Sequence, residues 1–190
     1  MNLQKETDVL SKFKTLNQIA KPNGICVFGS TVAARLPFHE LMQDYNIDPA
    51  IYNRSIEGLT IDTAEKYIIP CIELLKPRII LLYFGEEELQ SGSKAIPALI
   101  ESYRWLLYQL HIAIPDSKLT IISVNEEITD GKVFNQALRK LAAEYGCAYA
   151  DAPSGNFDNI YALHLSHTLR TFFFDRSLTM SEALQYFSIS

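Results

Sequence analysis

The chain has 190 residues, of which 48% are hydrophobic and 21% charged, with 22 acidic against 17 basic side chains and a net charge of −5. This is the composition of an ordinary globular protein, which excludes a disordered tail or a collagen-like repeat. The acidic balance argues against a nucleic-acid partner held by phosphate neutralisation.

At this length one domain is expected, burying roughly 70% of the surface of its unfolded chain. The N-terminal stretch, Met1 to Asp8, lacks the apolar core of a secretory signal. No uncharged apolar run is long enough to span a bilayer, so a cytoplasmic protein without a membrane partner is expected. Residues 8–20 read as a helix closed by Lys21-Pro22-Asn23-Gly24. Residues 1–22 are therefore expected to be a helical extension of a domain spanning 23–190. Short apolar runs at 25–28, 50–52, 78–84, 119–124 and 147–150 read as strands. Segments of helical period at 32–45, 61–75, 94–112 and 131–145 lie between them. The run Arg78-Ile79-Ile80-Leu81-Leu82-Tyr83-Phe84 is almost wholly apolar, as a central parallel strand covered on both faces should be. The alternation predicts a three-layer α/β domain with a five-stranded parallel sheet and helices on both faces.

Cys26, Cys71 and Cys147 are odd in number, far apart and in no CxxC pair, so zinc and thioredoxin-like chemistry are not expected. Apolar neighbours make them structural thiols. No GxGxxG follows the first strand and no GKS or GKT occurs, which removes the usual phosphate cradles. No cofactor and no bound metal are expected.

Ligands of open α/β sheets bind at the carboxyl ends of the strands, so the segments after Phe28, Tyr52, Phe84, Val124 and Ala150 are the informative ones. The first reads Phe28-Gly29-Ser30-Thr31-Val32-Ala33. A hydroxyl at this turn either serves as a nucleophile or caps the following helix. The second is Tyr52-Asn53-Arg54-Ser55-Ile56-Glu57-Gly58-Leu59-Thr60, and the third is Phe84-Gly85-Glu86-Glu87-Glu88. In order and spacing these resemble blocks I, II and III of the SGNH (GDSL-like) hydrolases: F-G-D/S-S, N-R-G-I-S/G-G-x-T and K-P-x-x-(apolar)-G-T-N-D. Flanking text agrees as well, including Leu36-Pro37-Phe38-His39-Glu40-Leu41 and Tyr145-Gly146-Cys147-Ala148-Tyr149-Ala150-Asp151. The resemblance covers about residues 23 to 187 and implies a flavodoxin-like SGNH-hydrolase fold with, in active members, ester hydrolysis by a serine.

The same resemblance locates the departures. Thr31 aligns with the nucleophile, while Ser30 takes the place usually held by Asp. Thr31, Gly58 and Glu87 align with the oxyanion hole, Glu87 replacing the usual Asn. Asn53, Glu86 and Glu88 are expected to face the substrate. For the C-terminal Asp-x-x-His, one alignment keeps Asp175 and puts Leu178 at the His. The other keeps His164 and puts Tyr161 at the Asp. Neither keeps the dyad. Without a base the hydroxyl stays a weak nucleophile, and an ionised Glu in the oxyanion hole repels the charge that develops there.

The expected function is binding of a small sugar or acylated ligand with little or no ester hydrolysis. One alternative is an active esterase using Ser30 or Thr31 with His164 or His167. Another is a cation site built from Glu86, Glu87, Glu88 and Asp175. Glu126 and Glu127 either extend an acidic cleft or form a solvated loop. His39 and His111 are expected to be structural or surface residues. Phe172-Phe173-Phe174 requires burial, in the core or in a homo-oligomer contact.

Overall fold

The structure, a computed structural model, describes residues 3–38, 40 and 50–173. Five strands, β1 (Ile25–Gly29), β2 (Ile51–Asn53), β3 (Ile79–Tyr83), β4 (Lys118–Ile122) and β5 (Ala148–Ala150), form one sheet in the order β2-β1-β3-β4-β5. Every pairing is parallel. The flavodoxin-like order reverses direction between β1 and β3, and that reversal opens a crevice at their carboxyl ends. Register carries the crevice down to single residues, because Gly29 lies beside Tyr83. Beyond that pair, the Ser30 N–H donates to the Tyr83 carbonyl at 3.1 Å.

Side-chain alternation along the strands divides the core in two. Cys26, Phe28, Ile80, Leu82, Phe84, Leu119 and Ile121 face one layer of helices. That layer is α1 (Leu3–Gln18), α3 (Ile61–Leu75), α5 (Ile96–Ala113) and α6 (Gly131–Glu144). Ile25, Val27, Ile79, Leu81, Tyr83, Ile122 and Ala150 face the other, which holds α2 (Thr31–Arg35) and α7 (Asn159–Leu169). Every residue of β3 is buried, as its unbroken apolar sequence requires. Each large aliphatic side chain there contributes about 1.5–3 kcal/mol by leaving water.

The N-terminal helix packs on the domain that follows it: Phe13 is buried with the α3 residues, and Asn17 Nδ2 donates to the Cys71 carbonyl at 2.8 Å. Two expectations need correction. The helix expected over 32–45 is interrupted after Arg35, where Leu36 turns extended (ψ 127°). The cause is Pro37, whose ring disfavours helical backbone in the residue before it. Residues 41–49 and His39 lie outside the described residues. The helix expected over 94–112, α5, begins at Ile96, with Pro97 in its first turn, and is preceded by an unanticipated short helix, α4 (Glu86–Ser91).

A 3₁₀ turn (Arg170–Phe172) closes α7, and Phe173 is buried in the α7 face of the core. Cys26 and Cys71 are buried free thiols, and burial pushes both up to about 12. Cys147, partly buried, is pushed up to about 11 for the same reason. All three therefore stay protonated and inert near neutral pH, as structural thiols do. Among the described residues no helix is long and apolar enough to cross a membrane.

Candidate functional site

The crevice is built from three loops that the sheet brings together. At the end of β1 the chain must pass against β3, and only glycine fits: a Cβ on Gly29 would lie 2.3 Å from the Tyr83 carbonyl oxygen and 2.7 Å from Ala33 Cβ. Ser30 then occupies the N-cap position of α2, yet its side chain makes no capping hydrogen bond. It is 4% exposed and its Oγ has no hydrogen-bond partner among the described residues. Simple capping therefore does not explain Ser30. The next hydroxyl, Thr31 Oγ1, accepts the Gly58 N–H at 3.0 Å. Gly58 takes a left-handed φ of 71° that glycine tolerates best.

The second loop is fixed by its own side chains. Asn53 Nδ2 donates to the Ala33 carbonyl at 2.8 Å, and its Oδ1 accepts the Ser55 N–H at 3.0 Å. Asn53 thus ties the loop to α2 and is not among the residues lining the cavity described below. Arg54 is buried against the Phe13 and Tyr52 rings, and its Nε donates to Asn17 Oδ1 at 2.9 Å. Burial lowers its pKa. The Asn-Arg pair therefore holds the scaffold of the site.

The three consecutive glutamates diverge. Gly85, with φ 118° and Phe134 packed where a Cβ would be, starts the turn into α4. Successive helical residues then point about 100° apart. Glu86 is buried, and its Oε1 accepts the Tyr83 hydroxyl at 2.7 Å and the Asn125 N–H at 3.1 Å. Burial raises its pKa, partly offset by those two hydrogen bonds. Tyr83 also meets the Tyr161 hydroxyl at 2.7 Å. Burial raises the pKa of both phenols, Tyr161 to about 12. Glu88, 1% exposed, turns the other way, and its Oε1 accepts the N–H of Ile61, the first residue of α3, at 2.7 Å. Glu88 therefore anchors a helix and does not line the cavity. Glu87 stays half-buried at the cavity wall. Among the described residues no three potential metal ligands cluster, so the glutamates do not assemble the cation site considered from sequence. Its fourth candidate, Asp175, lies outside the described residues, as does Leu178.

Ser30, Thr31, Glu86 and Glu87 line a cavity of about 180 Å³, completed by Val32, Arg35, Tyr83, Phe84, Gln90 and Phe157. His164 and His167 are exposed on α7 and are not among its lining residues. His111 belongs to its own helix, with Nδ1 2.9 Å from the Leu107 carbonyl oxygen. Glu126 and Glu127 are exposed on the turn after β4, away from the lining. The structure thus brings Ser30, Thr31, Gly58, Glu86 and Glu87 together and leaves Asn53, Glu88 and His164 outside the cavity. Sequence reading missed Tyr83, Arg35 and Phe157 as site residues, and met Tyr161 only as the replacement for the Asp in one alignment. Tyr83 carried a signal, being a hydroxyl-bearing residue at the carboxyl end of an otherwise aliphatic strand. Tyr161 lies 78 residues away, and strand pattern gave no sign of its contact with Tyr83.

No family model matches the chain, and no curated protein matches it by sequence. Solved structures do. A Streptococcus pneumonia protein provisionally described as a platelet activating factor superposes with a TM-score of 0.71 at 16% identity, over 90% of this chain and 94% of its own. A family 3 carbohydrate esterase of Clostridium thermocellum gives 0.67 at 12%, over 81% and 100%. A GDSL-like lipase of Bacteroides thetaiotaomicron gives 0.65 at 11%, over 86% and 96%. The chain has the fold of these SGNH (GDSL-like) hydrolases, a five-stranded parallel sheet between two helical layers.

Proposed function

We propose that this SGNH-fold chain is a catalytically degenerate member of the GDSL-like family. In this reading it acts in the cytoplasm, binding a small sugar or acylated ligand in the Thr31 cavity and hydrolysing esters slowly or not at all. One observation carries the reading: the groups around Thr31 are arranged against an oxyanion. The Gly58 amide, which the family resemblance assigns to oxyanion binding, already donates to Thr31 Oγ1 at 3.0 Å. Glu87 lines the same cavity where the family would supply an Asn donor.

The magnitudes favour binding over turnover. Losing one oxyanion donor typically costs about 10²–10³ in rate. An ionised carboxylate about 4 Å from an oxyanion adds about 4 kcal/mol of repulsion at an effective dielectric of about 20. Among the described residues no imidazole lines the cavity, which leaves the Thr31 and Ser30 hydroxyls there without the adjacent base that activates such nucleophiles. Thr31 also carries a β-methyl group at the point of attack and a restricted χ1.

The test is hydrolysis of p-nitrophenyl acetate by the wild type, Ser30→Ala and Thr31→Ala. All three should run at the same rate, close to buffer. Turnover well above buffer that one of these substitutions abolishes would instead establish an esterase with a relocated base.

A further inference from the structure

Taking the binding reading as its basis, we infer that the cavity recognises a small primary ammonium group carried on an apolar body. Three features of its wall converge on that chemistry.

The first is charge. Glu86 and Glu87 both line the cavity, against one lining guanidinium, Arg35. Arg35 is already engaged, its Nε donating to Glu57 Oε1 at 3.0 Å on the exposed rim. With Arg35 neutralised by Glu57, Glu86 and Glu87 leave the wall acidic, a balance that attracts a cation and repels an anion. The second is an independent polar demand. Ser30 lines the cavity and is 96% buried by its 4% exposure, and its Oγ lacks any hydrogen-bond partner among the described residues. A buried hydroxyl of this kind normally finds a partner. An ammonium brings three donors and no acceptor, matching the hydroxyl lone pairs and the two carboxylates.

The third feature is aromatic. Tyr83, Phe84 and Phe157 supply ring surface to the same cavity, and their faces attract a cation electrostatically. Phe157 is held by an edge contact with Tyr161, ring centroids 5.5 Å apart. At about 180 Å³ the space lies below the roughly 300–1,000 Å³ typical of drug-sized pockets, so the body carrying the amine must be small. A divalent metal is a poorer match, because it takes six or more oxygen ligands and among the described residues no three potential metal ligands cluster.

The test is calorimetric titration of the full chain at pH 7 with three compounds of one shape: benzylammonium, benzyl alcohol and benzoate. Benzylammonium should bind at least about tenfold more tightly than the alcohol, and benzoate should not bind. Glu87→Gln should weaken the amine about tenfold and leave the alcohol unchanged. Glu73→Gln, exposed on α3, should change neither. The comparison of amine with alcohol uses the wild type alone, so it stands even if a variant misfolds. Alcohol binding as tight as the amine would overturn the ammonium assignment and leave ligand binding standing. Absence of heat with all three compounds would overturn the ammonium assignment and leave the sugar or acyl reading standing.

Discussion

Glu88 makes the most quantitative prediction about the scaffold beneath the site. Its carboxylate is buried and its Oε1 accepts the first amide of α3 at 2.7 Å, while Oε2 is buried without a partner among the described residues. Glu88→Ala removes a charge-assisted hydrogen bond worth about 1.5–3 kcal/mol and a helix-dipole contact worth about 0.3–1 kcal/mol. The hydrogen-bond figure is already net of the exchange with water. The expected destabilisation is at least about 2 kcal/mol, or a fall in Tm of at least about 4–8 °C for a domain of this size. Glu88→Gln retains an acceptor for Ile61 and should lose less than about 1 kcal/mol at pH 7.

The pH dependence separates hydrogen bonding from charge. Burial raises the Glu88 pKa in the folded chain, with the Ile61 amide opposing it. The folded state therefore holds this proton more tightly than the unfolded state. The associated stability is fully present below the unfolded pKa and is lost as pH rises through the folded one. Measured by urea denaturation, the wild type should gain on Glu88→Gln as pH falls from 7 to 4. A wild-type advantage that grows with rising pH would refute this reasoning, as would Glu88→Ala within about 0.5 kcal/mol of the wild type.

Other substitutions test the rest of the site. Gly29→Ala forces a Cβ to within 2.3 Å of the Tyr83 carbonyl oxygen, so it should cost about 3 kcal/mol or more by denaturant titration. Gly92→Ala, also strained at φ 59° but facing open space, should cost only about 1 kcal/mol, and equal costs would discredit the β1–β3 packing argument. Tyr83→Phe removes a hydroxyl that meets Glu86 and Tyr161 at 2.7 Å each, and should destabilise by about 1–3 kcal/mol in the same assay. Unchanged stability would mean that this buried hydrogen-bond chain contributes nothing.

What could be read from sequence follows the range of the interactions. β3 was legible because a strand covered on both faces must be apolar throughout, and Ile79–Tyr83 is. The early end of α2 was signalled by Leu36-Pro37, but helical periodicity over 32–45 outweighed that local restriction in the reading. The glutamates misled for a different reason. Adjacency suggested convergence, whereas the turn at Gly85 sends Glu86 to Tyr83 and Glu88 to Ile61. The Thr31–Gly58 bond spans 27 residues and depends on two loops meeting at the sheet edge, which no local pattern encodes. Motif order located the cavity; the hydrogen bonds within it required the fold.

The central claim is that neither hydroxyl beside the cavity is an activated nucleophile. It is tested most directly by incubating the protein with an excess of a fluorophosphonate and measuring its intact mass, because a hydroxyl activated towards esters also attacks phosphorus and displaces fluoride. The account predicts an unmodified chain after hours at pH 7. A stoichiometric phosphonyl adduct mapped to Ser30 or Thr31 would contradict it.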